Sequence, residues 1–339
     1  MTASPVPFSV LDLASVPEGL SVEFAINKSK DVAIAADKAG FKRIWLAEHH
    51  GMKGVASAAT SVMIAALGSV TQHIRIGAGG IMLPNHSPMM VAEQFGTLEA
   101  LYPGRIDLGL GRAPGMDMET ARALRRSMQN DVERYPGDIR ELQTYLDEYD
   151  GSYPVIAVPG VGARVPIWLL GSSLYSAKLA ARLGLPFSFA SHFAPEMLME
   201  AIRLYKDNFQ PSKQLQQPYV SVACMTIVAD TNEQADYLFS SAQLMFADLR
   251  KGANKALPKP VDDLSGVLSE MEMYGVRQML RYAVVGDVPS ATGKFAQLLA
   301  ATGADELILA FPIHDKQAVL HSISLVGQME SVMRSSLAA

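Results

Sequence analysis

The chain has 339 residues, 49% of them hydrophobic and 19% charged, which is material for one large core. Its net charge is −5 and its lysines and arginines are scattered rather than gathered into a stripe, which excludes a nucleic-acid landing surface. A single cysteine, Cys224, rules out an internal disulfide; the opening Met1-Thr2-Ala3-Ser4-Pro5 lacks signal-peptide character and no apolar run reaches the roughly 20 residues of a bilayer span, so a cytoplasmic protein without membrane contact is expected.

In chain order, short β-branched or apolar runs alternate with longer stretches of helical spacing, the pattern of parallel strands joined by crossover helices. Strands are predicted at Phe8 to Leu13, Arg43 to Leu46, Ile74 to Gly77, Ile106 to Leu110, Ile167 to Leu170, Phe187 to Ala190, Val220 to Val228 and Glu306 to Phe311. After the first, Ala25, Val32, Ala36 and Ala39 recur at helical spacing, and after the third so do Val91, Phe95, Leu98 and Tyr102. Two connections exceed a simple crossover. Arg112 to Pro166 carries its own helix, with Ile139, Leu142, Leu146 and Tyr149 on one face, and Arg250 to Arg281 reads as polar and irregular. With no internal repeat or linker tract, the expectation is one α/β domain over 1–339, a TIM (β/α)8 barrel with insertions after strands 4 and 7.

A parallel barrel builds its site where strands end, so unusual residues just past a strand carry the most information. Strand two ends in Glu48-His49-His50, a carboxylate and two imidazoles able to exchange protons near neutral pH. Metal ligation is the other chemistry open to them, but adjacent side chains diverge and no HExxH spacing accompanies them, so no metal is expected. Strand three ends in Gly77-Ala78-Gly79-Gly80, whose missing side chains let a flat group approach the backbone; a glycine turn needed only for positive φ angles explains the segment equally well.

After strand five, Gly171-Ser172-Ser173 precedes a helix containing Ser176, and exposed N–H groups with several hydroxyls make a phosphate seat; ordinary N-capping explains one of these serines equally well. Barrel phosphate sites more often follow strands seven and eight. Arg112, after strand four, could reach the same anion, although a lone arginine is more often a surface charge and taken by itself it stays unassigned. Gly109 to Gly115 has one residue too many for a dinucleotide fingerprint, and Gly286 to Lys294 lacks the spacing of an ATP-binding loop.

Together with Leu83-Pro84-Asn85-His86-Ser87-Pro88, Ala92-Glu93-Gln94-Phe95-Gly96-Thr97-Leu98 and Tyr102-Pro103-Gly104-Arg105-Ile106-Asp107, these segments resemble the bacterial-luciferase-like flavin monooxygenases over nearly the whole chain. The resemblance implies a barrel holding FMN, its phosphate near Arg112, Gly171, Ser172, Ser173 and Ser176, a non-prolyl cis peptide at Gly79-Gly80 under the flavin ring, and His49, His50 and Glu48 as catalytic residues. It implies reduced FMN as co-substrate, supplied by a separate flavin reductase, reaction with O2 through a C4a-hydroperoxide, a small organic substrate and a homodimer. The reactive cysteine of bacterial luciferase aligns with Gly111, so light emission is not implied. A deazaflavin-dependent hydride-transfer oxidoreductase and a non-catalytic flavin-binding protein are the alternatives.

Overall fold

A computed structural model describes residues 6–112, 118–124, 131–151 and 153–336. Its elements follow the chain as β1 (Phe8–Asp12), α1 (Val22–Lys38), β2 (Arg43–Leu46), α2 (Thr60–Gly68), β3 (Arg75–Met82), a 3-10 turn (Leu83–Asn85), α3 (Pro88–Leu101) and β4 (Ile106–Gly111). The first insertion holds α4 (Met118–Ala123) and α5 (Asp131–Leu146). Then come β5 (Ile167–Gly171), α6 (Leu174–Leu183), β6 (Phe187–Phe189), α7 (Leu198–Asp207), β7 (Val220–Val228) and α8 (Asn232–Arg250). The second insertion holds α9 (Glu270–Met279), and the chain closes with β8 (Val284–Gly286), α10 (Val288–Thr302), β9 (Glu306–Ala310) and α11 (Lys316–Ser336).

Eight strands, β1 to β7 and β9, form a closed parallel ring, with β1 joined to β9 and β6 to β7. All eight are those expected from the sequence. Strand β8 was not expected; it pairs only with the far end of β7, Thr226 opposite Val284, and stays outside the ring. Strand β3 runs past its expected end because the glycines continue the ladder: Gly79 lies opposite Gly109, a bulge follows, and Ile81 lies opposite Leu110.

Alternation along each strand separates two cores. Val10, Ile44, Leu46, Ile76, Leu108, Leu169, Phe187 and Leu309 point outward and pack with Val32, Ala36, Phe95 and Leu98 of the helices. Leu11, Trp45, Trp168, Ala223, Met225 and Ile308 point inward and fill the bore. Trp45 meets Trp168 edge-on at 5.0 Å between centroids, and this bulk is why β3 is small where it passes: a Cβ on Gly79 would stand 2.8 Å from Trp45 Cβ.

Below the tryptophans the bore is charged. Arg43, the first residue of β2, donates to Asp107 Oδ2 of β4 at 2.5 Å and to Glu306 Oε1 of β9 at 2.8 Å, and Arg75 donates to Asp107 Oδ1 at 2.6 Å. Ser9, Lys42 and Tyr219 complete the shell around Glu306. A Cβ on Gly77 would lie 2.2 Å from Asp107 O, so that glycine makes room for the network.

The first insertion packs α5 on α3 through Tyr135, Ile139, Leu142 and Leu146. Tyr149, expected on that face, lies beyond the helix and is 48% exposed, its hydroxyl donating to Tyr153 O. The second insertion is less irregular than expected, because Ser269 and Glu272 form a reciprocal capping box that starts α9. Residues 253–257 are stitched across the loops after β1 and β2: Leu257 N–H donates to Val16 O, Glu18 N–H to Leu257 O, and Asn254 Nδ2 to Gly51 O. No described helix is long and apolar enough to cross a membrane.

Candidate active site

Glu48 leaves the end of β2 almost fully buried, with its carboxylate in contact with four donors. His50 Nε2 donates to Oε1 at 2.7 Å, His86 Nε2 reaches both oxygens at 2.9 and 3.0 Å, Met82 N–H donates to Oε2 at 3.1 Å, and Asn85 Nδ2 approaches Oε1 at 3.3 Å. Burial pushes this carboxyl up, but the hydrogen bonds from His86, His50 and the Met82 amide outweigh it and hold the pKa below the ordinary glutamate range. Glu48 therefore orients His50 and His86. The ligand atoms of all three lie within 4.8 Å of one another, so a metal-capable set arises from tertiary proximity where no sequence spacing signalled one.

Among the described residues the His49 ring makes no hydrogen bond. Burial lowers its pKa, partly offset by Glu48, and His50 adds to the lowering. Its imidazole is thus neutral near pH 7 and free to take or give a hydrogen bond. A second imidazole, His192 in the turn after β6, lies within its field. His192 Nδ1 is enclosed, without a hydrogen-bond partner among the described residues.

The expected glycines meet at the mouth. Gly79-Gly80 is a cis peptide, as the resemblance implies. Gly79 is half-buried between the buried Ala78 and Gly80, while a Cβ on Gly80 would fall 2.6 Å from Gly109 O. Gly80 is therefore required by the approach of β4, and Gly79 by Trp45. Packing within the barrel explains both before any ligand is considered.

The serine segment and Arg112 come together. Ser173 occupies the N-cap of α6 without making a side-chain cap bond; its Oγ lies 3.3 Å from Ser176 Oγ, which donates to Ser173 O at 2.9 Å. A Cβ on Gly171 would lie 2.1 Å from Ser176 Oγ, so this cradle admits only glycine. Arg112, at the end of β4, stacks its guanidinium 4.4 Å from the ring centre of Tyr175 in the first turn of the same helix. Tyr135 of α5 is buried in the field of Tyr175 and Arg112, which brings the first insertion to this place. N–H groups, hydroxyls and a guanidinium form a donor set suited to a phosphate.

Opposite this seat, between β1, β7 and β9, a cleft is lined by Leu13, Met225, Met245 and Phe311 together with Asp12, Ser15 and Lys28, with Leu11, whose Cδ1 stands beside Gly79, at its inner edge. The mouth is thus polar from β2 to β5 and mainly apolar from β7 to β1, where Asp12 and Lys28 are the charged groups.

The sequence placed Glu48, His49, Arg112 and the serines by their position after strands. It missed His86 as the partner of Glu48, because 38 residues separate them. It also missed His192, although the rule that singled out His49 applies to a histidine just past β6.

The family model for luciferase-like monooxygenases matches residues 6–306. A luciferase-like monooxygenase of Escherichia coli K12 is 51% identical over 325 residues, covering 96% of this chain and 97% of the relative. The solved structure of apo-MsnO8 is similar with a TM-score of 0.85 and 32% identity, covering 95% of this chain and 98% of that one. The oxygenating constituent of 3,6-diketocamphane monooxygenase from the CAM plasmid of Pseudomonas putida, a type II Baeyer-Villiger monooxygenase solved in complex with FMN, shares the fold with a TM-score of 0.70 at 16% identity, over 96% and 97% of the two chains.

Proposed function

The chain belongs to the luciferase-like monooxygenase family, and from that premise we propose that it is an FMN-dependent monooxygenase of a small organic substrate. The observation that carries this reading is the convergence, on one rim, of a phosphate-type donor set, a half-buried Gly79 and a neutral imidazole at His49 with no hydrogen-bond partner among the described residues.

Ser172, Ser173, Ser176 and the Gly171 cradle would hold the FMN phosphate with Arg112, and Gly79-Gly80 would back the ring. When bound and reduced, the flavin supplies the electron pair and the activation of O2, one oxygen atom going to the substrate and the other leaving as water. His49 holds or moves a proton at a ring nitrogen beside the reacting atoms. His50 and His86, anchored on Glu48, are held in fixed orientations next to it. The stitched segment 253–257 and α5 shield the mouth from water. A separate reductase supplies reduced flavin, since the sequence has no nicotinamide fingerprint, and the working unit is a homodimer.

Equilibrium titration tests the seat. FMN should bind, and Arg112→Ala should raise its Kd about tenfold, the effect of losing one charge-assisted contact. Binding of a deazaflavin with none of FMN would replace this reading by hydride transfer. Mixing the protein with reduced FMN under anaerobic conditions and then admitting O2 should restore flavin absorbance more slowly than for free flavin. Recovery as fast as free flavin would mark a protein that only stores it.

A further inference from the structure

His192 takes no part in the reading above. It stands across the ring from His49, since β2 and β6 are four strands apart in a ring of eight. Its turn is tied on three sides: Ala190 N–H donates to Gly171 O of the phosphate-type seat at 3.0 Å, Ser191 Oγ to Ala223 O of β7 at 2.6 Å, and Arg281 from the end of the second insertion to Pro195 O at 2.8 Å. Phe193 stacks edge-on against the imidazole at 4.9 Å. The ring is thus held in place while its enclosed Nδ1 has no partner among the described residues. An enclosed polar atom left unpaired costs desolvation, which a bound hydrogen-bonding group would recover.

Burial drives the His192 pKa down to about 3, and His49 pushes it the same way, so the ring is neutral near pH 7 and offers no ion pair. Two residues beyond the Ala223 that anchors Ser191, Met225 begins the apolar wall with Leu13 and Met245. Lys28, the cation among the residues lining that cleft, donates to Ile313 O at 2.9 Å and lies in the field of Asp12 and Asp315. An anionic head group finds no uncommitted cation there, and the Asp12 carboxylate in the same lining, its Oδ2 without a hydrogen-bond partner among the described residues, repels it further.

We propose that His192 determines substrate specificity by hydrogen-bonding an uncharged polar group of the substrate through Nδ1, while the apolar part lies against Leu13, Met225 and Met245. This rests on the reading of the barrel mouth as the catalytic site. A neutral imidazole pairs with an amide, carbonyl or hydroxyl in one tautomer or the other, whereas a carboxylate would give up its hydration in an enclosed place with no uncommitted cation.

Two probes of equal chain length, hexanamide and hexanoate, test it on the flavin-free full chain, with binding read from the His192 ring resonance in NMR. Hexanamide should shift that resonance and bind at least about fivefold more tightly than hexanoate, the scale of one neutral hydrogen bond. His192→Phe should abolish the preference and His192→Gln, which keeps a neutral donor and acceptor, should retain it, with unchanged melting curves in both. Equal or tighter binding of hexanoate, binding of neither probe, or a preference unaltered in a folded His192→Phe variant would overturn the proposal. Because no flavin is present, failure of FMN to bind is a separate result and speaks only to the cofactor reading.

Discussion

The two ends of the barrel solve opposite problems with similar residues. At the N-terminal end, Arg43, Asp107, Glu306 and Arg75 are buried or half-buried and every one of these charges has an opposite partner within 3 Å. At the C-terminal end the enclosed polar atoms Asp12 Oδ2, Asn85 Oδ1, His192 Nδ1 and Asn254 Oδ1 have no hydrogen-bond partner among the described residues, against Ser221 Oγ alone at the strand starts. A closed network fixes the shape of the ring, whereas an open one keeps hydrogen-bonding capacity for a ligand. The tryptophan layer of Trp45 and Trp168 between them keeps the two apart.

That contrast predicts where stability and chemistry separate. The largest effect should follow Glu306→Gln, which leaves Arg43 with an incomplete buried pair; the cost should be about 3–5 kcal/mol in urea unfolding, while FMN affinity of the folded fraction stays the same. A loss of flavin binding out of proportion to unfolding would show that the two ends are coupled.

Next in size, His49→Ala should lower coupled turnover by about 100-fold or more while unfolding free energy moves by under about 1 kcal/mol, since the ring anchors nothing. Unchanged turnover would remove His49 from the chemistry; a large stability loss would make it a structural residue like those at the other end.

The smallest effect is in pH. The folded pKa values of His49 and His192 lie below the ordinary 6.5, so the unfolded chain binds more protons in acid, and the stability these rings contribute is complete above 6.5 and lost as pH falls below it, toward about 3 for His192. The slope should reach up to about 1.4 kcal/mol per pH unit for each ring. His192→Phe should flatten it; an identical slope would mean that His192 is not enclosed in solution. Arg43 does the reverse: its pKa is raised by Glu306 and Asp107 against the effect of burial, so the N-terminal network keeps its cation through neutral and alkaline pH.

Much of this was legible in the residues. Each ring strand is a short apolar run, and the rule that sites gather after strands picked out Glu48, Arg112 and Ser173. Glycines were harder: Gly77 to Gly80 have the composition of a turn, yet they continue β3 because Asp107 and Trp45 occupy the space their side chains would need. The capping box Ser269-Glu272 was present in the sequence and was overridden by the polarity around it.

By itself, then, the sequence determined the order of elements, the outward and inward alternation and the places where a site would form, because these depend on local periodicity and on residue types that packing does not require. Only the tertiary structure decided which groups meet: His86 with Glu48 rather than His49 with Glu48, Arg112 with Tyr175, and His192 opposite His49. The reason is geometric. Closing eight strands into a ring brings the ends of β2 and β6 toward a common mouth although 142 residues of chain lie between His49 and His192, and no pattern within either segment encodes that distance.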